Sequence, residues 1–259
     1  MKKIMIAMAL ISPSTAIAWT SMGVGTTIEI GGNIQITSFD TPWEVNVGTA
    51  VTTMDVAITN KAKVVSIPVP HALPILGIRP KTDRSFSGLA GINPQISYNG
   101  AVQIDNFVAG TTVMRLPVKD ADSPHIDIGV IEAPFFAAAL SSQRENDGSN
   151  AEQASIYAAS AGNAFWGGVA KTADSVASGH SIIGMLAALD PEYMLKYDIT
   201  YSTMKEPREI SFKNMAMQYS AIYGAGIMAG RDLTLTLKQP IENKEIKWKA
   251  SLPITVSYQ

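Results

Sequence analysis

The feature that most constrains the fold of this 259-residue chain is a period-two alternation of apolar residues near both of its ends. At the C-terminus every even position from Ile246 to Tyr258 is apolar, with mostly Lys, Ser and Thr between them. From Met22 to Ile30 the even positions are apolar or threonine, and the odd positions are Gly, Thr or Glu. Successive side chains of a strand point to opposite faces, so both segments are predicted to be β-strands with one buried face.

The N-terminal strand is unusually rich in glycine, which occurs at positions 23 and 25 and again as the pair Gly31-Gly32. A glycine in a strand costs conformational entropy and packs no side chain, so this segment would be a poor member of its own sheet. The glycine pair also indicates a bend. We therefore expect this strand to become ordered on another surface.

Residues 1–18 have the pattern of an export signal. Two lysines form a positive start, an apolar run from Ile4 to Ile11 follows, and Ala16-Ile17-Ala18 supplies a cleavage site with small residues. The run is shorter than the roughly 18 residues that a membrane-spanning helix needs, and no later window is apolar enough. We expect an exported chain without a membrane span whose mature form begins at Trp19; the alternative is an ordinary buried helix at the N-terminus.

The composition excludes several classes of function. The chain has no cysteine, which rules out disulfides, thiolate metal sites and a cysteine nucleophile. Its net charge of −2 argues against a general nucleic-acid binder, which needs a basic surface. The three histidines, His71, His125 and His180, are not spaced as an i, i+4 metal pair. We therefore predict no metal site, no cofactor and no nucleic-acid partner.

Three motifs that resemble catalytic or ligand-binding sites are incomplete. Gly179–Gly184 is one residue too long for the nucleophile turn of serine hydrolases, and the alternative is a helix start capped by serine. The acidic loop 120–127 lacks the glycine and the terminal glutamate of an EF-hand, and Gly167-Gly168 lacks the spacing of a phosphate-binding loop. The sequence therefore predicts a protein that is not an enzyme, with a secreted hydrolase on a sandwich scaffold as the minor alternative.

Most of the remaining chain is predicted to form short strands. Proline and glycine separate them at the spacing of about 8–12 residues that is typical of a β-sandwich. A hairpin is expected from Asp232 to the C-terminus, with its turn at Gln239–Lys244, and an earlier strand at Met215–Tyr223. The other predicted strands are Trp43–Val47, Val51–Ile58, Val64–Val69, Ile75–Ile78, Gln95–Tyr98, Val102–Phe107 and Val113–Val118.

A helical insert is predicted at about 135–200, where the composition changes to Ala, Ser, Gly and Met. Apolar residues recur at helical spacing over 151–165, a second helix is predicted at Ser181–Leu189, and Asp190-Pro191-Glu192 resembles the start of a third. Aromatic residues of the insert could form a platform on which a sugar stacks, or they could simply be its core. They are Tyr157, Phe165, Trp166, Tyr193 and Tyr197.

Five stretches, spread in order over nearly the whole mature chain, resemble the major subunits of chaperone–usher fimbriae. The resemblance is to the Fae-type family, the K-antigen group of enterotoxigenic enterobacteria, in which the absence of cysteine is also usual. The stretches are Trp19 with Ile28–Ile34, Trp43–Thr49, Leu73–Gly77 with Pro94–Ile96, Leu116–Lys119, and Tyr223–Gly230 continued through Trp248 to Tyr258.

The resemblance implies an immunoglobulin-like β-sandwich that lacks its last strand and is completed by donor-strand exchange. A periplasmic chaperone first fills the open groove, and the N-terminal extension of the neighbouring identical subunit then replaces it at the outer-membrane usher. It implies a donor extension at 19–36, a pilin domain at 37–259, and a fibre at the cell surface. The donor side chains would be Met22, Val24, Thr26, Ile28 and Ile30, and the strand facing the chaperone and usher would carry Leu252, Ile254, Val256 and Tyr258.

The resemblance further implies that the helical insert binds host glycoconjugates, with Tyr157, Phe165 and Trp166 as the receptor-binding residues. Many pilins have glycine fourteen residues from the end, where this chain has Ile246. We therefore expect a major fimbrial subunit with an adhesive insert. The alternatives are a minor or tip subunit and a soluble exported carbohydrate-binding module.

Overall fold

The computed structural model describes residues 40–58, 61–198, 203–241 and 245–259. Within these ranges the chain is mainly β, with thirteen strands in open sheets and one α-helix, which confirms the predicted fold class. Residues Asp40–Gln259 form one compact unit. The predicted export signal and the predicted donor strand both lie outside the described residues.

The strands vary from two to nineteen residues in length. In chain order they are β1 (Trp43–Val47), β2 (Val64–Val69), β3 (Leu73–Pro80), β4 (Phe86–Ser87), β5 (Pro94–Ser97), β6 (Thr111–Asp120), β7 (Asp127–Glu145), β8 (Glu152–Ile156), β9 (Thr203–Arg208), β10 (Met217–Ile227), β11 (Arg231–Leu237), β12 (Trp248–Ala250) and β13 (Thr255–Tyr258). The single α-helix is α1 (Ser181–Leu189).

The larger sheet has the strand order β1-β3-β10-β7-β11-β2, and β6 pairs with both β7 and β12. Its longest strand, β7, changes partners along its length. Residues 127–136 pair with β6 and, in part, with β11, whereas residues 136–145 pair with β10 and, in part, with β8. A separate small sheet joins β13 to β5. Strand β7 therefore pairs directly with four other strands, β6, β8, β10 and β11, which is more partners than any other described strand has.

The two halves of β7 differ in burial because a second hydrophobic core covers only one of them. In the first half, buried residues alternate with partly exposed ones, as expected for a strand with one covered face. In the second half Phe135 and Ala137 enter the main core, while Phe136 and Ala138 enter a smaller core against α1. Both faces of the second half of β7 are thus covered, and its sequence is a continuous run of apolar residues from Phe135 to Leu140.

The insert lies close to the sheet because two glycines leave room for an aromatic ring. Gly224 of β10 is paired with Gly77 of β3, and the ring of Tyr193 lies against both. A methyl group added at Gly77 would come within 2.2 Å of that ring, and one at Gly224 within 2.7 Å. The glycine pair therefore sets how closely the helical part can approach the sheet.

An ionic network also holds this region. Lys196 donates to a Glu44 carboxylate oxygen at 2.7 Å, and Arg79 bonds to both Glu44 and Glu192. The hydrogen bond from Lys196, aided by Arg79, holds the pKa of the Glu44 carboxyl below its usual range, although burial acts in the opposite direction. The network links β1 and β3 to the turn that carries Tyr193.

The helix predicted over residues 151–165 is wrong, because Glu152–Ile156 forms strand β8, paired with β7 and β9. Gln153–Ile156 is buried at every position, so the period-two signal of a strand is missing and the alanine spacing imitates a helix. The helix at Ser181–Leu189 is confirmed. The third predicted helix is a short 3-10 helix, Pro191–Met194, capped by the Asp190 carboxylate, which accepts the Glu192 N–H at 2.9 Å.

The predicted C-terminal hairpin is also wrong. Strand β11 pairs with β2 and β7, whereas β12 pairs with β6 and β13 pairs with β5. The single strand expected at 246–258 is divided into β12 and β13. Local alternation indicates a strand, but long-range pairing decides its extent and its neighbour. Val51–Ile58 is not paired as a strand, and Val102–Phe107 contains a 3-10 turn with one isolated bridge at Val102.

Replacing Gly77 by alanine should destabilise the protein, because the new methyl group forces the buried Tyr193 ring away from β3. We expect a loss of about 1–3 kcal/mol in the free energy of unfolding, measured by thermal denaturation followed by circular dichroism. Gly184→Ala is the matched control, because its methyl group meets nothing within 4 Å and alanine favours the helix. Equal stability of Gly77→Ala and the unmodified protein would contradict this packing.

Candidate functional site

Two adjoining cavities form an open groove along one side of the main core. Their volumes are about 750 Å³ and 480 Å³, and both are lined by Asp55, Glu245, Ile246 and Trp248. The shared lining makes them one continuous depression, here called the groove. It runs between residues 50–58 on one side and residues 245–250 on the other.

The floor of the groove is apolar because three alternating strands turn their buried faces towards it. Floor residues keep 3–7% of their surface exposed. The two cavities above these residues show that the core is incompletely covered here. The floor residues are Met114 and Leu116 of β6, Ile131 and Ala133 of β7, and Leu233, Leu235 and Leu237 of β11.

One wall of the groove, residues 51–58, has the alternation of a strand without its pairing. Met54, Val56 and Ile58 are half-buried against the main core, whereas Thr53 and Asp55 are exposed. Within the described part of the chain, no strand pairs with this segment. Its backbone groups are therefore available to a further strand.

The opposite wall is formed by the start of the C-terminal strand. Ile246, Trp248 and Ala250 are half-buried on the groove side, and the lysines between them are exposed. Among the described residues β12 pairs with β6 alone, so its second edge has no partner. Two unpaired edges with an apolar floor between them are the geometry that accepts one inserted strand.

The four residues predicted to face the chaperone and usher lie on the same face of the C-terminal segment, farther downstream. Leu252, Ile254, Val256 and Tyr258 are all half-buried against the main core. The cavities, however, are lined upstream of them, by Glu245–Ala250. The role of these four residues stays a prediction. The groove-lining residues Glu245–Ala250, the wall at 51–58 and the floor were not predicted from the sequence.

Ile246, which stands where many pilins have glycine, lines both cavities. Its side chain is half-buried and lies where the two cavities adjoin. This chain therefore narrows the groove at a point where a glycine would leave it open.

The five donor residues predicted from the sequence, Met22, Val24, Thr26, Ile28 and Ile30, lie outside the described residues. The apolar floor of the groove is complementary to a strand with one apolar face. The assignment of these five residues to the groove stays a prediction.

The predicted aromatic platform does not form, because three of its five members are buried. Phe165 is fully buried and stacks on Tyr223 with ring centroids 5.6 Å apart, while Tyr193 and Tyr197 belong to the smaller core. A buried ring cannot stack on a sugar, so the assignment of Phe165 as a receptor-binding residue is wrong. Tyr157 and Trp166 are half-exposed, and their receptor role stays a prediction.

Hydrogen bonds hold the Phe165–Gly168 loop in the core. The Tyr98 and Tyr223 hydroxyls are 2.7 Å apart, and Tyr223 donates to the Gly168 carbonyl at 3.1 Å. Burial raises the pKa of both tyrosines well above the usual value, so both stay neutral and both can donate. The Trp166 carbonyl also accepts the Ile96 N–H at 2.8 Å.

Within the described ranges no group of three or more His, Asp or Glu residues is placed to hold a metal ion. In the acidic loop at residues 120–127, the Asp120 carboxylate accepts the N–H groups of Asp122 and Ser123 at 2.9 and 3.0 Å. It caps its own turn. No described helix is long and apolar enough to cross a membrane.

Comparison with known proteins gives a consistent family. A model of the K88 fimbrial family, described as "Fimbrial, major and minor subunit", matches residues 1–259. Two relatives, "K88 fimbrial protein AB" and "K88 fimbrial protein AC" of Escherichia coli, are each 24% identical to this chain. Both matches cover all of this chain and all of the relative.

The openness of the groove can be tested by enlarging one alanine on its floor. Ala133→Phe places a ring in the open cavity and should change the free energy of unfolding by less than about 1 kcal/mol. It should also reduce the fluorescence of an apolar dye bound to the groove. Ala139→Phe on the same strand, in the closed core, is the matched control and should cost about 1–3 kcal/mol or more. Equal destabilisation by the two changes would show that the groove is closed.

Proposed function

This chain belongs to the K88 family of fimbrial major and minor subunits, and we propose that it is a major structural subunit polymerised by strand donation. A fimbrial subunit assembles into fibres at the cell surface, and members of such structural families are not enzymes. The observation that carries the proposal is the groove, which combines an apolar floor with two unpaired strand edges. Its occupant is the N-terminal segment of a second copy, residues 22–30.

The chemistry of that segment fits the groove. Its even positions are apolar or threonine, and its odd positions are small or polar, so one face can enter the groove while the other faces water. Burying Met22, Val24, Ile28 and Ile30 would contribute on the order of 6–12 kcal/mol in addition to the backbone hydrogen bonds. The many glycines are acceptable because the segment need not be stable alone.

Donation of a strand between identical copies explains growth into a fibre. The donated segment and the groove are different surfaces of the same molecule, so their contact is heterologous and leaves a free groove at one end. Each added copy brings a new segment and a new groove. Such a contact that does not close into a ring generates an open-ended filament.

An unfilled groove exposes apolar surface and free strand edges, which promote aggregation. We include in the proposal a periplasmic chaperone that covers the groove after export, and an outer-membrane usher at which the chaperone is replaced. The C-terminal segment with Leu252, Ile254, Val256 and Tyr258 would face both. Its half-buried apolar face, next to the unpaired edge of β12, supports this role.

Adhesion to host glycoconjugates is a second proposed activity of the same subunit. It is supported by Tyr157 and Trp166, the two members of the predicted platform that keep exposed surface. An aromatic face stacks on the apolar face of a sugar ring while polar neighbours bind its hydroxyls. Phe165 is excluded from the site by its burial.

The alternative functions predict different observations. A minor or tip subunit would be present in few copies per purified fimbria, whereas a major subunit would be its bulk component. A soluble carbohydrate-binding module would purify as a stable monomer without a chaperone. A hydrolase would need catalytic groups that converge in a cleft, and loss of a hydrolytic activity on replacing such groups would favour it.

Ile28→Asp should abolish fibre formation, because a carboxylate cannot enter an apolar groove without losing its hydration. Deletion of the mature chain before Thr37 should have the same effect. Fibres are measured by electron microscopy and by the quantity of subunit released from the cell surface. Thr27→Asp is the matched control, because it adds the same charge on the opposite face and should still give fibres. If Ile28→Asp also polymerised, the donated strand would be wrongly assigned.

Adhesion is tested with purified fibres on a glycan array. Tyr157→Ala and Trp166→Ala should each lower the signal of any bound glycan by about two- to tenfold, because loss of a stacking ring costs roughly 0.5–1.5 kcal/mol. Leu195→Ala, which truncates another exposed apolar residue, should leave the signal unchanged. Absence of binding by the unmodified fibres would leave a purely structural subunit.

A further inference from the structure

Three exposed lysines near the groove have no acidic partner among the described residues. They are Lys119 of β6, Lys249 of β12 and Lys247, which directly precedes β12. Lys249 is directly opposite Lys119 in the register of the two strands. In the described part of the chain none of the three forms an ion pair. Like charges in directly opposite positions destabilise a strand pair, so this arrangement favours binding of an anionic group.

The lysines lie along only part of the groove. Lys247 and Lys249 line the larger cavity, and the smaller cavity has no basic residue among its described lining residues. Asp55 and Glu245 line both cavities. The acidic groups are therefore shared by the two cavities, whereas the basic groups lie beside the larger cavity alone.

The proposed donor segment carries a single charge. Between Trp19 and Phe39 the only ionisable side chain is Glu29, which lies on the odd face between Ile28 and Ile30. When the even face enters the groove, the odd face points outwards, to the same side as the exposed odd positions of the neighbouring wall. Glu245, Lys247 and Lys249 occupy those positions, so the wall carries two basic groups and one acidic group there.

The apolar pattern alone cannot set how far the segment slides along the groove. Even positions from Met22 to Ile36 are apolar, apart from Thr26 and Gly32, so a shift by two residues still turns an apolar face inwards. A charge on the outer face makes these alternative registers unequal in energy. Displacement along the groove towards the smaller cavity would move Glu29 away from the lysines while leaving it beside Asp55 and Glu245.

We propose that Glu29 of one copy pairs with Lys247 and Lys249 of the next, and that this contact sets the register of the donated strand. Ile28 and Ile30 then enter the larger cavity, above the floor formed by β6 and β7. The inference rests on the proposed strand donation and adds the residues that specify its register. Lys119, which lies directly opposite Lys249, adds to the positive charge beside the larger cavity.

Charge exchange tests the contact in full-length protein assembled by its own secretion system. Glu29→Lys alone, or Lys247→Glu with Lys249→Glu, should lower fibre yield about three- to tenfold, because attraction becomes repulsion. The combination of all three changes should restore the yield. Lys205→Glu with Lys213→Glu is the matched control, since both lysines are exposed, unpaired among the described residues and absent from the groove lining. This control should neither reduce the yield nor rescue Glu29→Lys.

A second measurement does not depend on yield. The melting temperature of purified fibres should fall as sodium chloride is raised, and this salt dependence should disappear in Glu29→Gln fibres. Full yield of Glu29→Lys fibres, or failure of the triple variant to recover, overturns the ion pair. If Ile28→Asp still abolishes fibres in that case, strand donation stands and only the register contact fails. If Ile28→Asp polymerises, strand donation itself fails.

Discussion

Backbone pairing along β7 is the constraint on which the rest of the structure depends. Its first half, with β6 and β11, turns an alternating apolar face towards the groove. Its second half pairs with β10 and is buried on both sides, with the main core on one face and the helical part on the other. One continuous strand therefore carries the incomplete core and the insert, which are the two parts to which the proposed functions are assigned.

The groove connects the stability of the molecule with its assembly. A chain without cysteine has no disulfide to limit the unfolded state, so it depends on buried apolar surface and backbone pairing. Both are incomplete where residues 51–58 face the start of the C-terminal strand. In the proposed fibre a neighbouring copy completes both, so stability would belong to the assembly more than to the isolated subunit. The charges on the rim then supply the register that a repetitive apolar pattern cannot specify.

Local elements with one covered face were predictable. The bounds of β1, β2 and α1 agree with the prediction because each depends on its own alternation or helical spacing. The helix prediction failed where both faces are covered, because β8 and the second half of β7 lack period-two alternation and their alanines imitate a helix. The hairpin prediction failed because strand partners are set by long-range pairing. Among the candidate site residues, the C-terminal strand could be identified from its pattern. The opposite wall and the floor could not, because they lie far away in sequence.

By itself, the sequence determined that this is a mainly β chain with an apolar face on its C-terminal strand, and the family resemblance that the comparisons confirm. These properties depend on neighbouring residues or on whole-chain similarity. Only the tertiary structure decided that β11 and β12 do not form a hairpin, that Phe165 belongs to the core, and that Lys249 stands opposite Lys119. The physical reason is that strand pairing and burial are long-range. A side chain's pattern shows which face it occupies, but the partner across that face is set by distant segments of the chain.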